Sequence, residues 1–203
     1  MSLLDLSARE VLDRLAAPDP TPGGGSAAAL AGAAGAALVA MVCGMPKTRT
    51  GAAEERERLA TALAWAREAG SRLRRLVDED ARAYDAVVAA YRLPKGTDEE
   101  KAARRSAIEA AMTRATDVPL ETAEACRVAL RAAQEAAAHG NPNALSDART
   151  GGALAFAGLT GAAENVRINA PSLGETAAGS RLETLGKALA EGRARARSLG
   201  LLG

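Results

Sequence analysis

Ten positions in one stretch of the chain, Leu59, Leu63, Ala66, Gly70, Leu73, Val77, Asp80, Tyr84, Val87 and Tyr91, follow one another in alternating steps of four and three. That spacing traces a single face of one long helix packed against partners. Asp80 is the one charged residue on it. A carboxylate on a core-facing stripe costs on the order of several kcal/mol unless it is paired, hydrogen-bonded or neutralised by a raised pKa. Asp78 and Asp85 lie off the stripe, so position singles out Asp80. Two roles suit it: a structural carboxylate tied to a helix end or an arginine, or an acid/base group tuned toward neutral pH by apolar neighbours.

The second candidate is Pro22-Gly23-Gly24-Gly25-Ser26, which runs into an uncharged, Ala-rich segment ending near Gly44. Consecutive glycines let the backbone turn sharply and approach another group, because no Cβ intervenes. Ser26 is placed to cap a helix, whose N-terminus would attract an anionic group. Neither G-x-G-x-x-G nor a Gly-Lys-Ser/Thr ending is present. The stretch suits either a loop before a buried helix or a backbone surface for a ligand.

Amides supply the third group. Asn141 and Asn143 favour turns in Gly140–Asp147, and Ser146 or Asp147 can cap the helix that follows. Asn165 and Asn169 stand four apart and share a helix face, which suits a polar ligand or unsatisfied backbone groups equally. His139 is the only histidine and sits at a helix end, where a cation is favoured. With one histidine and two distant cysteines, Cys43 and Cys126, no transition-metal set or Ser-His-Asp triad assembles. The remaining groups, including Lys47, Arg49, Lys95 and Arg105, fit proton transfer on a polar, anionic small molecule better than redox chemistry.

The elements that must position these residues follow from composition and punctuation. Of 203 residues 48% are hydrophobic but only 2% aromatic, so the core is built from Ala, Leu and Val, and helices must approach closely to avoid voids. Basic and acidic residues nearly balance, 26 against 25, which argues against a nucleic-acid partner. The cysteines read as reduced and buried in a cytoplasmic protein, and no signal peptide is evident. Ala27–Gly44 is almost long enough to span a bilayer, but its Ala and Gly content points to a core helix instead.

The chain is expected to form helices over Leu3–Ala16, from the glycine loop to Gly44, and along the Asp80 stripe to Leu93-Pro94-Lys95-Gly96. Next comes one from the capping box Thr97…Glu100 to about Thr116, and another opened by Val118-Pro119-Leu120 and ending near Gly140. Ala148–Ile168 follows, and then a last helix carrying Leu182, Leu185 and Leu189 to a basic end at Arg193, Arg195 and Arg197. No strand pattern appears. The expected fold is an all-α, single-domain bundle of long Ala-rich helices over residues 1–203.

Taken in series, Pro22–Ala29, Val77–Tyr84, Leu93-Pro94-Lys95, Val118-Pro119-Leu120, Gly140-Asn141, Ser146-Asp147 and Asn165–Asn169 resemble the cyclodeaminase/cyclohydrolase family. That family comprises the C-terminal module of formiminotransferase-cyclodeaminase and its stand-alone bacterial relatives, and the resemblance runs from about Leu6 to Leu185. It implies a homodimer with a folate site near the subunit interface, no permanently bound cofactor, no metal, and no nucleic-acid or membrane partner. The substrate it implies is a tetrahydrofolate derivative. The first expectation is a cyclodeaminase that converts 5-formiminotetrahydrofolate to 5,10-methenyltetrahydrofolate and ammonia. A methenyltetrahydrofolate cyclohydrolase on the same site, or a non-catalytic folate-binding helical module, are the alternatives. On this footing Asp80 and Asp147 are the expected catalytic residues. Gly23, Gly24, Gly25 and Ser26 approach the substrate, Asn141, Asn165 and Asn169 bind the pterin, and Lys95 and Arg105 serve the glutamate tail. Where relatives usually carry Thr-x-Gly and two basic residues, this chain has Pro46-Lys47-Thr48-Arg49-Thr50, so Lys47 or Arg49 is the expected substitute.

Overall fold

The structure, a computed structural model, describes residues 2–203. Among the described residues it holds six α-helices, three short 3-10 turns and no strand. Helices α2 (Gly24–Cys43), α3 (Ala53–Tyr91), α4 (Asp98–His139) and α5 (Leu145–Asn169) form an up-and-down bundle. Both α2 and α4 pack against α3 and α5, which puts α3 and α5 at diagonal corners. Helix α6 (Glu175–Ser198) covers α4 and α5, while α1 (Ala8–Ala16) buries only Val11.

Small side chains set the spacing. A Cβ added at Gly35 would stand 2.5 Å from the carbonyl oxygen of Gly151, and one at Gly158 would stand 2.7 Å from that of Ala28. Backbone therefore meets backbone between α2 and α5, a contact only glycine allows without separating the helices. Helix α2 is long and apolar enough to cross a membrane by length and composition, but it packs against α3, α4 and α5 as the central rod of the bundle. Cys43 and Cys126 are free and buried, and burial pushes both thiols up to about 12.

Unequal helix lengths create the open end. At about 1.5 Å per residue, α2 is roughly 30 Å long, whereas α3 and α4 approach 60 Å. The stripe on α3 is buried at Leu59, Leu73 and Val77, turns half-buried at Asp80, and then emerges: Tyr84 is 42% and Tyr91 53% exposed. Beyond Asp80 the α3–α4 hairpin thus overhangs the start of α2. Arg114 ties it on the outer side by pairing with Glu79 and Glu121.

Several expected boundaries change. The first segment is not one helix: Leu3–Asp5 is a 3-10 turn, and Ser7 then caps α1 in a capping box with Glu10. Thr97 and Glu100 form the expected capping box of α4. That helix does not stop near Thr116 but runs unbroken through Pro119 to His139. Proline lacks the N–H that would reach the carbonyl four residues earlier. That carbonyl belongs to Ala115, and Nδ2 of Asn169 on α5 donates to it at 2.8 Å. A side chain from another helix satisfies the acceptor that Pro119 strands, so the helix continues.

Candidate active site

At the open end the four helices of the bundle surround a cleft of about 340 Å³, within the range typical of small-molecule sites. Gly23, Gly24 and Gly25 form its floor, α3 contributes Asp80, Tyr84 and Val87, α4 contributes Met112 and Ala115, and α5 contributes Asn165, Ile168 and Asn169. Pro20 and Thr21 close one edge. Because α3 and α5 are diagonal, the carboxylate wall and the amide wall face each other across the cleft.

Among the described residues Asp80 is the only carboxylate lining this space and the only charged side chain there. Burial raises its pKa above the ordinary 3.8, while hydrogen bonds from the Ser26 hydroxyl and backbone N–H pull the other way. The Ser26 hydroxyl donates to Oδ2 at 3.1 Å. A partly desolvated carboxylate held by two donors is positioned, and its burial makes it hold a proton more tightly than a free aspartate.

The glycine loop acts differently from the expected cap. Gly23 is the N-cap of α2, and no side chain caps this end. Ser26 lies in the first helical turn, 1% exposed, with its hydroxyl on Asp80. It orients the carboxylate and is too buried to reach a substrate. Gly25 is glycine for a steric reason, since a Cβ there would overlap the Asp80 carboxyl group, 2.5 Å from Cγ and 2.7 Å from Oδ2. Gly24 passes Asn165, whose Nδ2 would be 3.8 Å from a Cβ at that position.

Gly23, Gly24, Gly25, Ser26, Asp80, Asn165 and Asn169, far apart in sequence, are therefore gathered at one end of the bundle. The other candidates are not. Asp147 lies in the first turn of α5, about 27 Å along that helix from Asn165, at the opposite end of the bundle, where it makes no capping hydrogen bond. Asn141 caps the Pro142–Ala144 turn there by accepting from the Asn143 N–H, with its Nδ2 4.0 Å from Met45 Sδ. Within one chain, Asp147 and Asn141 cannot meet a ligand held by Asp80. Lys95, in the α3–α4 connection, and Arg105, exposed on α4, are on the overhanging hairpin but do not line the cleft. Arg49 is committed elsewhere: its guanidinium donates to the carbonyls of Ala138 and Ala137 and its N–H to that of His139, closing the C-terminus of α4. Lys47 sits in the same connection, at the end of α2 remote from the cleft.

Sequence reasoning assigned no role to Tyr84, Val87, Met112 or Ile168. Tyr84 and Val87 stand on the same stripe as Asp80, one and two turns beyond it, and that continuation was the available signal. Met112 and Ile168 reach the cleft only because α4 and α5 fold beside it.

An up-and-down helical bundle with one partly buried carboxylate in a cleft at its open end defines a helical-bundle protein with a small-molecule site. The profile of the Formiminotransferase-cyclodeaminase family matches residues 7–185, and the chain belongs to that family. It is 45% identical to the methenyltetrahydrofolate cyclohydrolase of Methylorubrum extorquens over 181 residues, covering 89% of this chain and 87% of that protein. It is 38% identical to the rat formimidoyltransferase-cyclodeaminase over 168 residues, 83% of this chain but only 31% of the rat enzyme. The crystal structure of formiminotetrahydrofolate cyclodeaminase from Thermotoga maritima superposes with a TM-score of 0.84 at 25% identity, covering 98% of this chain and 96% of that one.

Proposed function

We propose that this enzyme acts on the one-carbon unit bridging N5 and N10 of tetrahydrofolate, and that it adds water to 5,10-methenyltetrahydrofolate to give 10-formyltetrahydrofolate. The observation that carries the proposal is Asp80, the lone carboxylate of the cleft, with its pKa raised by burial and its position set by Ser26. The sequence expectation put deamination first. The 45% identity to a cyclohydrolase over 87% of its length supports putting hydrolysis first, since the cyclodeaminase matched over a comparable share of its length is 25% identical.

In the hydrolytic reaction the methenyl carbon is an electrophilic amidinium. Asp80 takes a proton from water as the oxygen attacks that carbon, and a neutral carbinolamine results. Asp80 then returns the proton to N5 as the carbon–N5 bond breaks. The carbinol hydroxyl loses its proton to solvent and the formyl group remains on N10. One water is consumed and one proton released. General acid/base assistance of this kind contributes about 10²–10⁴-fold.

The Thermotoga maritima structure favours a second reading, cyclodeamination. In that reaction the formimino group enters protonated as an amidinium, N10 attacks its carbon, Asp80 moves the N10 proton to the departing amino nitrogen, the carbon–nitrogen bond breaks, and ammonia leaves with the methenyl cation behind. A second copy of the chain would cover the rim of the cleft, where Ile168 is 75% exposed, so the working form is proposed to be a homodimer.

One spectrophotometric experiment tests both reactions. Purified protein is mixed with 5,10-methenyltetrahydrofolate or with 5-formiminotetrahydrofolate, and methenyl absorbance is followed. Hydrolysis accelerates its loss, deamination produces it, and Asp80→Asn abolishes whichever occurs. Absence of both changes in the parent protein refutes the proposed function.

A further inference from the structure

We infer that Asn165 and Asn169 are specificity residues that read the hydrogen-bond donor edge of a reduced pterin, its 2-amino group and N3–H, through their side-chain oxygens. The inference rests on the folate reading above and assigns the orientation of the substrate within it.

The two amides stand one turn apart on the wall of the cleft facing Asp80. Asn165 Nδ2 donates to the carbonyl of Gly161 at 3.0 Å, and Asn169 Nδ2 to that of Ala115 at 2.8 Å. These bonds fix which end of each amide is which. Rotating Asn169 by half a turn would set its oxygen against the oxygen of Ala115. It would also leave that carbonyl without any donor, because Pro119 has already removed the helical one. Neither Oδ1 has a partner among the described residues, and neither belongs to the buried unpaired atoms of the protein. Both remain accessible.

An amide oxygen only accepts hydrogen bonds. Each Nδ2 keeps a second N–H beyond the bond it makes, so the α5 wall offers two unpartnered acceptors in fixed orientation, with an amide N–H beside each, and no charge. A ligand edge carrying donors pairs with both Oδ1 atoms, whereas an edge carrying a carbonyl oxygen in place of a donor leaves an Oδ1 unpaired. Sites built to hydrogen-bond a donor reject an analogue without it far more strongly than apolar pockets reject a missing methylene. The donor edge of the pterin thus lies on α5 and its one-carbon end is left toward Asp80 on α3.

The test compares two tail-less ligands, 6-methyltetrahydropterin and 6-methyltetrahydrolumazine, in which oxygen replaces the 2-amino group. Affinities are measured by calorimetry on the parent protein, on Asn165→Ala, and on Asn169→Ala made together with Pro119→Ala. The Pro119→Ala change returns an N–H to the Ala115 carbonyl, so loss of the Asn169 amide no longer strands it. The parent should prefer the pterin by about tenfold or more, the scale of one hydrogen bond. Each variant should reduce that preference to about threefold or less and raise KM for the folate substrate with little change in kcat. A parent that turns over the folate but does not distinguish the two ligands overturns this inference alone. So do folded variants that keep the full preference. A parent that binds neither ligand and turns over neither folate overturns the proposed function and, with it, this assignment.

Discussion

Gly25→Ala is the most direct perturbation of the proposed reaction centre. The new methyl would lie 2.5 Å from Asp80 Cγ and 2.7 Å from Oδ2, with Oδ1 closer still, against an ordinary contact of 3.4 Å or more. Because every atom of the carboxyl group is overlapped, spinning it about its own axis gives no relief. The group must move by about 1 Å or change rotamer, and either breaks its bond to Ser26. The cleft offers room to move into, and alanine is favoured over glycine in a helix by up to ~1 kcal/mol, so the fold should hold. A misplacement of this size costs on the order of 10²-fold in rate, or about 2.7 kcal/mol of transition-state stabilisation. The expected outcome is a kcat/KM lowered by about 10²-fold with a thermal midpoint within a few degrees of the parent. A folded Gly25→Ala protein that keeps activity within about threefold would show that the position of the Asp80 carboxylate is not used in turnover.

Three further predictions follow from the same geometry. Asp80→Asn should remove activity yet stabilise the fold at neutral pH. Asp80 has a folded-state pKa above 3.8, so the folded state holds the proton more tightly and stability falls as pH rises from 3.8 through that raised value. A pH series of thermal melts should show the variant's advantage above that window shrinking to nothing near 3.8, and an advantage equal at all pH values would contradict the linkage. Ser26→Ala deletes the hydroxyl donated to Asp80, so the acidic limb of the pH–rate profile should move to higher pH while KM changes little; an unmoved limb would exclude this positioning role. Asn169→Ala should cost about 1–3 kcal/mol in urea denaturation by stranding the Ala115 carbonyl. In a Pro119→Ala background most of that cost should vanish, and strict additivity of the two substitutions would refute the compensation.

How much of this was legible beforehand varies by residue. Asp80 stood out because the helical period is a local property: a carboxylate on a four–three stripe of apolar residues is conspicuous wherever the helix goes. The triple glycine was equally visible, but its purpose was not, since the clash it avoids is with a side chain on α3. Ser26 looked like a cap, and only its contact with Asp80 makes it a positioning group. Pro119 read as a helix start because the donor that rescues the Ala115 carbonyl comes from α5, far along the chain. Asp147, Asn141, Lys47 and Arg49 carried polar chemistry in plausible order, yet order along the chain does not say which end of an up-and-down bundle a residue occupies.

The sequence by itself determined an all-helical chain with a core of small side chains, the Thr97–Glu100 capping box, and the one acidic residue out of place on an apolar stripe. These depend on periodicity and on neighbours within about one turn. Tertiary structure alone decided that the glycine floor, the carboxylate and the two amides share a cleft, and that the second aspartate does not. The physical reason is rigidity over distance: helices as long as about 30–60 Å carry local chemistry to whichever end their packing dictates, and that packing is set by contacts between segments remote in the chain.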